Sequence, residues 1–336
     1  KHLLEADDEA MAKNPVGTGP FKFVERKEGE YVKMEANETY WNGTVASKYL
    51  EMRVVPEASQ RATLLETDEI DIAYDMLASD VERLNSGEKA TVLSASSFKV
   101  FYLTINCNSG TAALQDARVR QAIEYAIDKD ALCSAVMYGY ATPVSSLVGP
   151  GVFGYDAAPT ANLYDVEKAK SLLTEAGYAD GFTIDLHVEP ISLYEKAAEI
   201  IQSMWAEVGV TANIVSSALA TYNAQHNGQF QACIRDSTAS EISHMLIIYE
   251  SSFGSRIQGN DDWLDGKLLE LRTYYYDDPQ RTTCLDEIYT YLNEQRYSYP
   301  YMNMPINYAV SDKLEGFEFH PAIDHMKHIT DWVVYE

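Results

Sequence analysis

The sequence predicts an α/β fold, in which helices and strands alternate along the chain and pack in layers. One observation is the segment 98–106, FKVFYLTIN, whose apolar and aromatic residues favour a buried strand. A second is the alternation that follows, which predicts helix 116–138, helix 165–176, strand 182–189, helix 193–208 and strand 210–216. A third is the pair Asp278 and Pro279, an N-cap and first-turn combination that marks the start of a C-terminal helix.

Elements near the two ends of the chain extend this pattern. Residues 20–25 and 30–36 alternate like an antiparallel strand pair, with a turn at Lys27-Glu28-Gly29 between them. A helix is predicted over about 59–67. The helix that begins at Asp278 has an apolar stripe formed by Leu285, Ile288, Tyr289 and Leu292.

The segment 116–138 has the clearest helical period. Its apolar stripe consists of Val119, Ala122, Ile123, Ala126 and Ile127. The polar side chains predicted to point away from this stripe are Arg118, Arg120, Gln121 and Glu124. Asp116 is suited to cap the start, Asp128 to cap a second short helix through Tyr138, and Gly139 to end it.

Composition and charge limit the classes of function. The 336 residues suffice for two domains, and 46% apolar with 23% charged residues is typical of a soluble globular protein. A net charge of −25 disfavours nucleic acid or an anionic membrane as a partner, because neither offers an opposite charge. The acidity would suit a cationic ligand, although solubility is the simpler explanation. No apolar run approaches the roughly 20 residues that a membrane-spanning helix needs.

Motifs for catalysis and for cofactor binding are weak. Gly17-Thr18-Gly19 begins like a dinucleotide fingerprint, but Pro20 follows and the third glycine is missing, so we expect no cofactor. The sequence also lacks G-x-S-x-G, H-E-x-x-H and G-K-[ST]. His325 and His328 have a ligand-like spacing, with His320 and Asp324 nearby; we favour an exposed polar turn there over a metal site.

The four cysteines leave two possibilities. Cys107, Cys133, Cys233 and Cys284 are widely spaced, and their even number permits three full sets of disulfides. Their positions on apolar strands and helices favour four free thiols instead.

Four motif blocks, in a fixed order, carry a family resemblance. They lie at 16–43 (with GTGPFK and NETYWNG), 55–76 (with DEIDIAYDM), 115–140 (QDARVRQAIEYAIDKDALCSAVMYGY) and 164–186 (YDVEKAKSLLTEAGYADGFTIDL). Together they resemble the extracellular solute-binding receptors of peptide and nickel ABC importers, family 5. Four ordered blocks are much harder to obtain by chance than one short motif.

The resemblance implies a two-lobed architecture of the type II periplasmic-binding-protein class. Residues 1–106 and 302–336 would be what remains of lobe I, and 107–301 would form lobe II. Because the first block lies well inside the chain in that family, we expect this sequence to be a C-terminal portion with lobe I incomplete. A targeting signal and the cysteine of a lipid anchor would then precede Lys1.

The resemblance further implies a function without catalysis. Such a receptor captures short peptides in the cleft between its lobes, by a hinge motion, and delivers them to a membrane permease at the periplasmic or extracellular face of the cell membrane. The alternatives are a receptor of the same fold for a nickel chelate, haem or another small solute, a receptor that signals without transport, and a hydrolase on this scaffold.

The family's ligand-facing strand corresponds to 230–240, FQACIRDSTAS. The predicted ligand-binding residues are Asn106, Arg235, Asp236, Ser237, Thr238, Ala239 and Glu241. The family often has G-W, an acidic residue and D-P here, and this chain lacks the Trp and the Pro. Asp236 is the first choice and Glu241 the second for binding a peptide's amino terminus. The alternatives are that Asp236 pairs with Arg235 or faces solvent, and that Asn106 is structural.

Overall fold

The computed structural model describes residues 13–108, 111–152, 154–155, 163–218, 230–253, 261–318 and 329–334. Its strands are β1 Phe21–Lys27, β2 Tyr31–Ala36, β3 Tyr49–Arg53, β4 Ile72–Ala73, β5 Ala90–Ile105, β6 Thr142–Pro143, β7 Phe182–Val188, β8 Val210–Ser216, β9 Ala232–Thr238, β10 Ser298–Ser311, β11 Leu314–Glu315 and β12 Val333–Val334. Its α-helices are α1 Ala58–Glu66, α2 Ala78–Asn85, α3 Ala112–Gln115, α4 Ala117–Tyr125, α5 Lys129–Met137, α6 Val166–Glu175, α7 Ser192–Ala206, α8 Ile242–Leu246, α9 Asp262–Leu271 and α10 Pro279–Gln295.

These elements confirm the predicted α/β class. Among the helices that the structure describes, none has the length and apolar character that crossing a membrane requires.

The chain divides into two compact units. One comprises Lys1–Ala95 and Ile306–Glu336, and the other comprises Ser96–Pro305. The boundaries, at 95/96 and 305/306, fall within β5 and β10, whereas the crossings between lobes were expected at about 106 and 302. The assignment of these units to receptor lobes stays a prediction.

The first unit contains the predicted strand pair. β1 and β2 are antiparallel from Phe21↔Ala36 to Lys27↔Tyr31, and Gly29 turns the chain with a φ of +75°. The hairpin prediction is confirmed, whereas β3, which pairs with β2, was not predicted. A separate apolar core in this unit is formed mainly by α1, α2, β4 and the first residues of β5, with Leu65 and Leu84 at its centre.

The second unit is organised by a sheet in the order β10-β5-β9-β7-β8. β9 is antiparallel to β5, and β7 is parallel to both β8 and β9. β7 and β8 pair over seven residues, from Phe182↔Val210 to Val188↔Ser216. Parallel neighbours of this kind need a crossover connection, which α7 supplies between them.

Two apolar cores lie on the two faces of this sheet. Phe101, Leu103 and Ile105 of β5 belong to the core that α4, α5, α6 and α7 cover. Tyr102, between them on the strand, belongs to the core beneath α8, α9 and α10. Successive residues of a strand point to opposite faces, so β5 serves both cores at once. This explains why its sequence is an apolar run and not an alternating one.

The region 116–138 forms two helices, as predicted. The Asp116 carboxylate accepts a hydrogen bond from Arg118 N at 2.9 Å, and the Asp128 carboxylate accepts from Asp130 N at 3.0 Å and Ala131 N at 3.1 Å. Tyr138 and Gly139 both have positive φ, 54° and 86°, and end the second helix. The predicted caps and the predicted stop are confirmed.

One feature of this region was not predicted. Arg120 and Glu124, which the helical period places off the apolar stripe, are buried as well. Helix α4 is covered on a second side, where Arg120 Nε donates to Gln295 O at 2.6 Å and its Nη1 donates to Leu114 O at 2.9 Å. The sequence period defines one buried face, and it cannot reveal that α10 covers another.

None of the four cysteines, all of which the structure describes, forms a disulfide, as favoured from their positions. Cys133, Cys233 and Cys284 are buried, and Cys107 is half-buried. Burial raises the pKa of Cys107 to about 11 and that of Cys133 to about 12. Because the thiolate is the reactive form, these two thiols should be inert at neutral pH.

Gly181 is a position where an added side chain would meet neighbouring backbone at very short range. Its φ is +79°, and an added Cβ would lie 1.9 Å from Gly209 O, next to the start of β8. Gly177 has a similar φ of +87° but open space around it.

We expect Gly177→Ala to lower the free energy of unfolding by about 1 kcal/mol. Gly181→Ala should lower it by a further ~1–3 kcal/mol because the strands must shift. Urea unfolding of both variants tests this, and equal losses would contradict the close strand approach.

Candidate functional site

Strand β9 is paired fully along one side and only partly along the other. It pairs with β5 over all seven residues, from Ala232↔Ile105 to Thr238↔Lys99. On its other side β7 pairs only at Leu186↔Ala232 and His187↔Cys233. Within the described ranges, therefore, residues 236–238 have no strand beside them on that side, and we refer to them as the open edge. An open edge presents backbone donors and acceptors to an incoming extended chain.

Asp236 lies at the open edge within a polar cluster. It is opposite Phe101 in the ladder, and Lys99 is its diagonal neighbour on the same face. Lys99 Nζ lies 2.9 Å from Asp236 Oδ2, and the Tyr194 hydroxyl donates to Oδ1. The Asp236 side chain nevertheless keeps 26% of its surface exposed. The carboxylate is thus held in a defined position and remains accessible.

Aromatic rings pack against this cluster and support it. The rings of Tyr194 and Phe101 meet edge to face, with centroids 5.3 Å apart, and Lys99 Nζ lies 5.5 Å from the centre of the Phe101 ring. Burial, followed by the hydrogen bond to Asp236, raises the pKa of the Tyr194 hydroxyl. Tyr194 therefore stays a neutral hydrogen-bond donor at physiological pH.

Arg235 and Ser237 point to the opposite face of β9 from Asp236, because side chains alternate along a strand. Arg235 is opposite Tyr102, and Ser237 is opposite Val100. The ion pair of Asp236 is made with Lys99, and the strand alternation places Arg235 on the other face, which disfavours the alternative of a pair with Arg235. Ser237 Oγ is buried and has no hydrogen-bond partner among the residues that the structure describes.

Thr238 and Ala239 differ in their exposure. Thr238 is exposed at the end of the open edge, where its backbone can meet a ligand. Ala239 is buried and packs in the core beneath α8. Of these two residues, the geometry favours Thr238 for ligand contact.

Glu241 is engaged inside the protein. Its Oε1 lies 2.5 Å from Arg281 Nη2, both side chains are buried, and Ser243 Oγ donates to the other carboxylate oxygen. Arg281 also donates to Leu271 O at 3.2 Å and to Tyr274 O at 3.3 Å. A carboxylate neutralised in this way is poorly suited to bind an external ammonium group, which favours Asp236 over Glu241.

Asn106 is completely buried, and its side chain bonds to backbone groups. Nδ2 donates to Phe230 O at 2.9 Å, and Oδ1 accepts from Asn108 N at 2.9 Å. The geometry favours the structural role for Asn106, which holds together the ends of β5 and of the segment before β9.

Sequence reasoning missed two members of the cluster, Lys99 and Tyr194. Lys99 is the one charged residue in the apolar run 98–106, and this could have marked it. Nothing near Tyr194 in the sequence signals its contact with a residue 42 positions away.

Metal ligands are not brought together in the part of the chain that the structure describes. No group of three or more His, Cys, Asp or Glu side chains there has the spacing of a metal site. The region of His320, Asp324, His325 and His328 lies outside the described residues.

Comparisons with known proteins agree with this architecture. The family model described as "Bacterial extracellular solute-binding proteins, family 5 Middle" matches residues 2–259. The chain is 33% identical over 225 residues to the heme-binding protein A of Haemophilus influenzae, covering 66% of this chain and 41% of that protein. It is 33% identical over 213 residues to the dipeptide-binding protein of Escherichia coli, covering 62% and 39% respectively. The chain thus spans about two fifths of the length of these relatives.

A solved structure shows the same fold. The ABC transporter substrate binding protein CtaP from Listeria monocytogenes superposes with a TM-score of 0.87 at 22% identity, covering 99% of this chain and 69% of that one. This likeness confirms the predicted fold class with its solute-binding-protein architecture.

The ion pair of Glu241 with Arg281 predicts a large effect on stability. Arg281→Met should lower the free energy of unfolding by about 3–5 kcal/mol, because Glu241 stays buried without its counter-charge. Lys170→Met removes a partner of Glu167 at 3.2 Å in an exposed pair and should change it by less than about 1 kcal/mol. Denaturant unfolding of both variants measures the difference. Equal changes in the free energy of unfolding would indicate that Glu241 does not depend on Arg281. Glu241 would then again be a candidate ligand residue.

Proposed function

The chain belongs to the bacterial extracellular solute-binding proteins of family 5, as its motif blocks predict, and from this membership we propose that it is the binding receptor of an ABC importer for short peptides. In this proposal the receptor captures a peptide outside the cell and presents it to a membrane permease. It acts by binding and not by catalysis. We place the full-length protein at the periplasmic or extracellular face of the membrane, held there by a lipid anchor.

The open edge of β9 is the observation that favours peptides. An extended peptide can add to a free strand edge through its backbone, while its side chains remain in tolerant, wet pockets. Those backbone groups of residues 236–238 that point away from β5 are available for this mode, because in an antiparallel ladder only alternate residues bond to the neighbouring strand. A single geometry would then accept many sequences.

Asp236 supplies the charge that a peptide's amino terminus needs. A carboxylate has about four lone-pair sites, and here Tyr194 and Lys99 use one on each oxygen. Room remains for a third donor on the exposed part of the group. The net charge of −25 would also raise the local concentration of ammonium groups near the surface.

The relatives differ in what their names say they bind, one a dipeptide and another haem. We favour a peptide for this chain because the open edge offers hydrogen-bonding groups that a peptide backbone matches. A porphyrin would match them poorly. Haem, a nickel chelate and other small solutes therefore serve as competing ligands in the test.

We expect calorimetric titration to detect binding of trialanine, and Asp236→Asn to weaken it at least tenfold, or about 1.4 kcal/mol. Asp185→Asn is the matched control, because Asp185 also lies in this sheet and accepts a side-chain hydrogen bond, from Asn213 at 3.0 Å. N-acetyl-trialanine should bind more weakly than trialanine and should bind Asp236→Asn and the unaltered protein equally, since it has no ammonium group.

A trialanine methylated on its central amide nitrogen tests the strand-addition mode itself. Loss of one backbone donor should weaken binding in both the unaltered protein and Asp236→Asn. Binding of haemin or nickel–histidine, with none of any peptide, would refute the peptide proposal and leave the receptor class standing. Binding of none of these ligands would count against ligand capture by this chain.

A further inference from the structure

A cavity lies within Ser96–Pro305, and its described lining contains none of Asp236, Lys99 and Tyr194. It has a volume of about 190 Å³, more than ten times the roughly 10–15 Å³ that one water requires by the same measure. Its polar lining includes Glu124, Ser145, Tyr289, Asn293, Arg296 and Ser298. None of these residues takes part in the proposed peptide site, so this inference does not depend on that proposal.

The charges at the wall of the cavity are unequal. Among the described residues that line it, Glu124 is the one carboxylate, and it lies between two cations: Lys129 Nζ is 3.6 Å from Oε1, and Arg296 Nε is 3.0 Å from Oε2. The exposed fractions of Lys129 and Glu124 are only 3% and 5%, and that of Arg296 is 16%. An excess buried cation is costly unless a counter-charge accompanies it.

Lys129 is buried beside this pair of charges. Burial is the main cause that lowers its pKa; the charge of Glu124 opposes this shift, and the charge of Arg296 adds to it to a smaller extent. Its Nζ also donates to Val144 O and to Ser145 Oγ, each at 3.2 Å, and Ser145 lines the cavity. An anion in the cavity would therefore lie near the ammonium group.

Arg296 is held by two contacts that use only part of its N–H donors. Nη1 donates to Asn293 Oδ1 at 2.8 Å, and Nε faces Glu124. A guanidinium group has five N–H donors, so these contacts leave three without a partner in the part of the chain that the structure describes. The planar fork of arginine matches a carboxylate through two parallel hydrogen bonds.

We propose that this cavity binds a small carboxylate anion between Arg296 and the Lys129 side, with Ser145 and Asn293 at its rim. The described groups carry one excess positive charge, which one carboxylate would balance. A phosphate carries −1.5 to −2 at neutral pH and would exceed that charge by up to about one unit. The volume suits an acid of a few heavy atoms. The same chemistry occurs in a free organic acid and in the carboxyl terminus of a peptide, and the test separates these two sources.

Two variants remove one cation each and leave a balanced pair behind. Lys129→Met leaves Glu124 with Arg296, and Arg296→Gly leaves Glu124 with Lys129. Arg296 has a φ of 53°, a conformation that glycine adopts freely, so this second variant preserves the end of α10 and guards against a failure of the first to fold. Lys170→Met, in an exposed pair, is the matched control.

Isotope-edited NMR and calorimetry measure the binding of acetate to the full chain. The ionic strength is kept constant during the titration with chloride. We expect saturable binding to the unaltered protein and to Lys170→Met, and at least tenfold weaker binding to both cavity variants. Trialanine and trialanine carboxamide are then added to acetate-saturated protein to identify the source of the carboxylate. If trialanine displaces acetate and its carboxamide does not, the site is assigned to a peptide terminus. Acetate binding that does not saturate, or that is equal in all variants, would overturn the proposal.

Discussion

The antiparallel ladder between β5 and β9 is the constraint on which the rest of the second unit depends. Its register, Phe101 opposite Asp236, decides which side chains meet on each face. A slip of one residue would move Phe101 out of one core and Tyr102 out of the other. It would also separate Lys99 from Asp236. Packing and the candidate site are therefore set by a single alignment of two strands.

The unequal lengths of the neighbouring ladders create the candidate site. β9 continues beyond the point where β7 stops pairing with it, so its last residues are supported on one side and open on the other. Support matters because a ligand-binding group must be held before the ligand arrives. Lys99 and Tyr194 provide that support for Asp236 by contacting one carboxylate oxygen each.

Much of this fold follows from local sequence signals, and the site follows from them only in part. The caps at Asp116 and Asp128 and the 3.6-residue period identified helices because those signals involve neighbours a few positions apart. The burial of Arg120 and Glu124 was missed because it depends on α10, far along the chain. The support of Asp236 by Tyr194 was missed for the same reason. A sequence period reports one packing face, whereas contacts made by a second face need the tertiary structure.

Helix α10 and its C-cap supply cations that pair with the buried carboxylates. The chain has 26 Lys and Arg against 51 Asp and Glu, yet Arg120, Lys129 and Arg281 are buried with only two carboxylates, Glu124 and Glu241, in the described part. Residues of α10 or of its C-cap bind or pair with each of these carboxylates, through Arg281 and Arg296. Cations placed inside leave the surface more acidic still. The proposed anion site is accordingly placed beside buried cations, and the proposed ammonium site at the partly exposed Asp236.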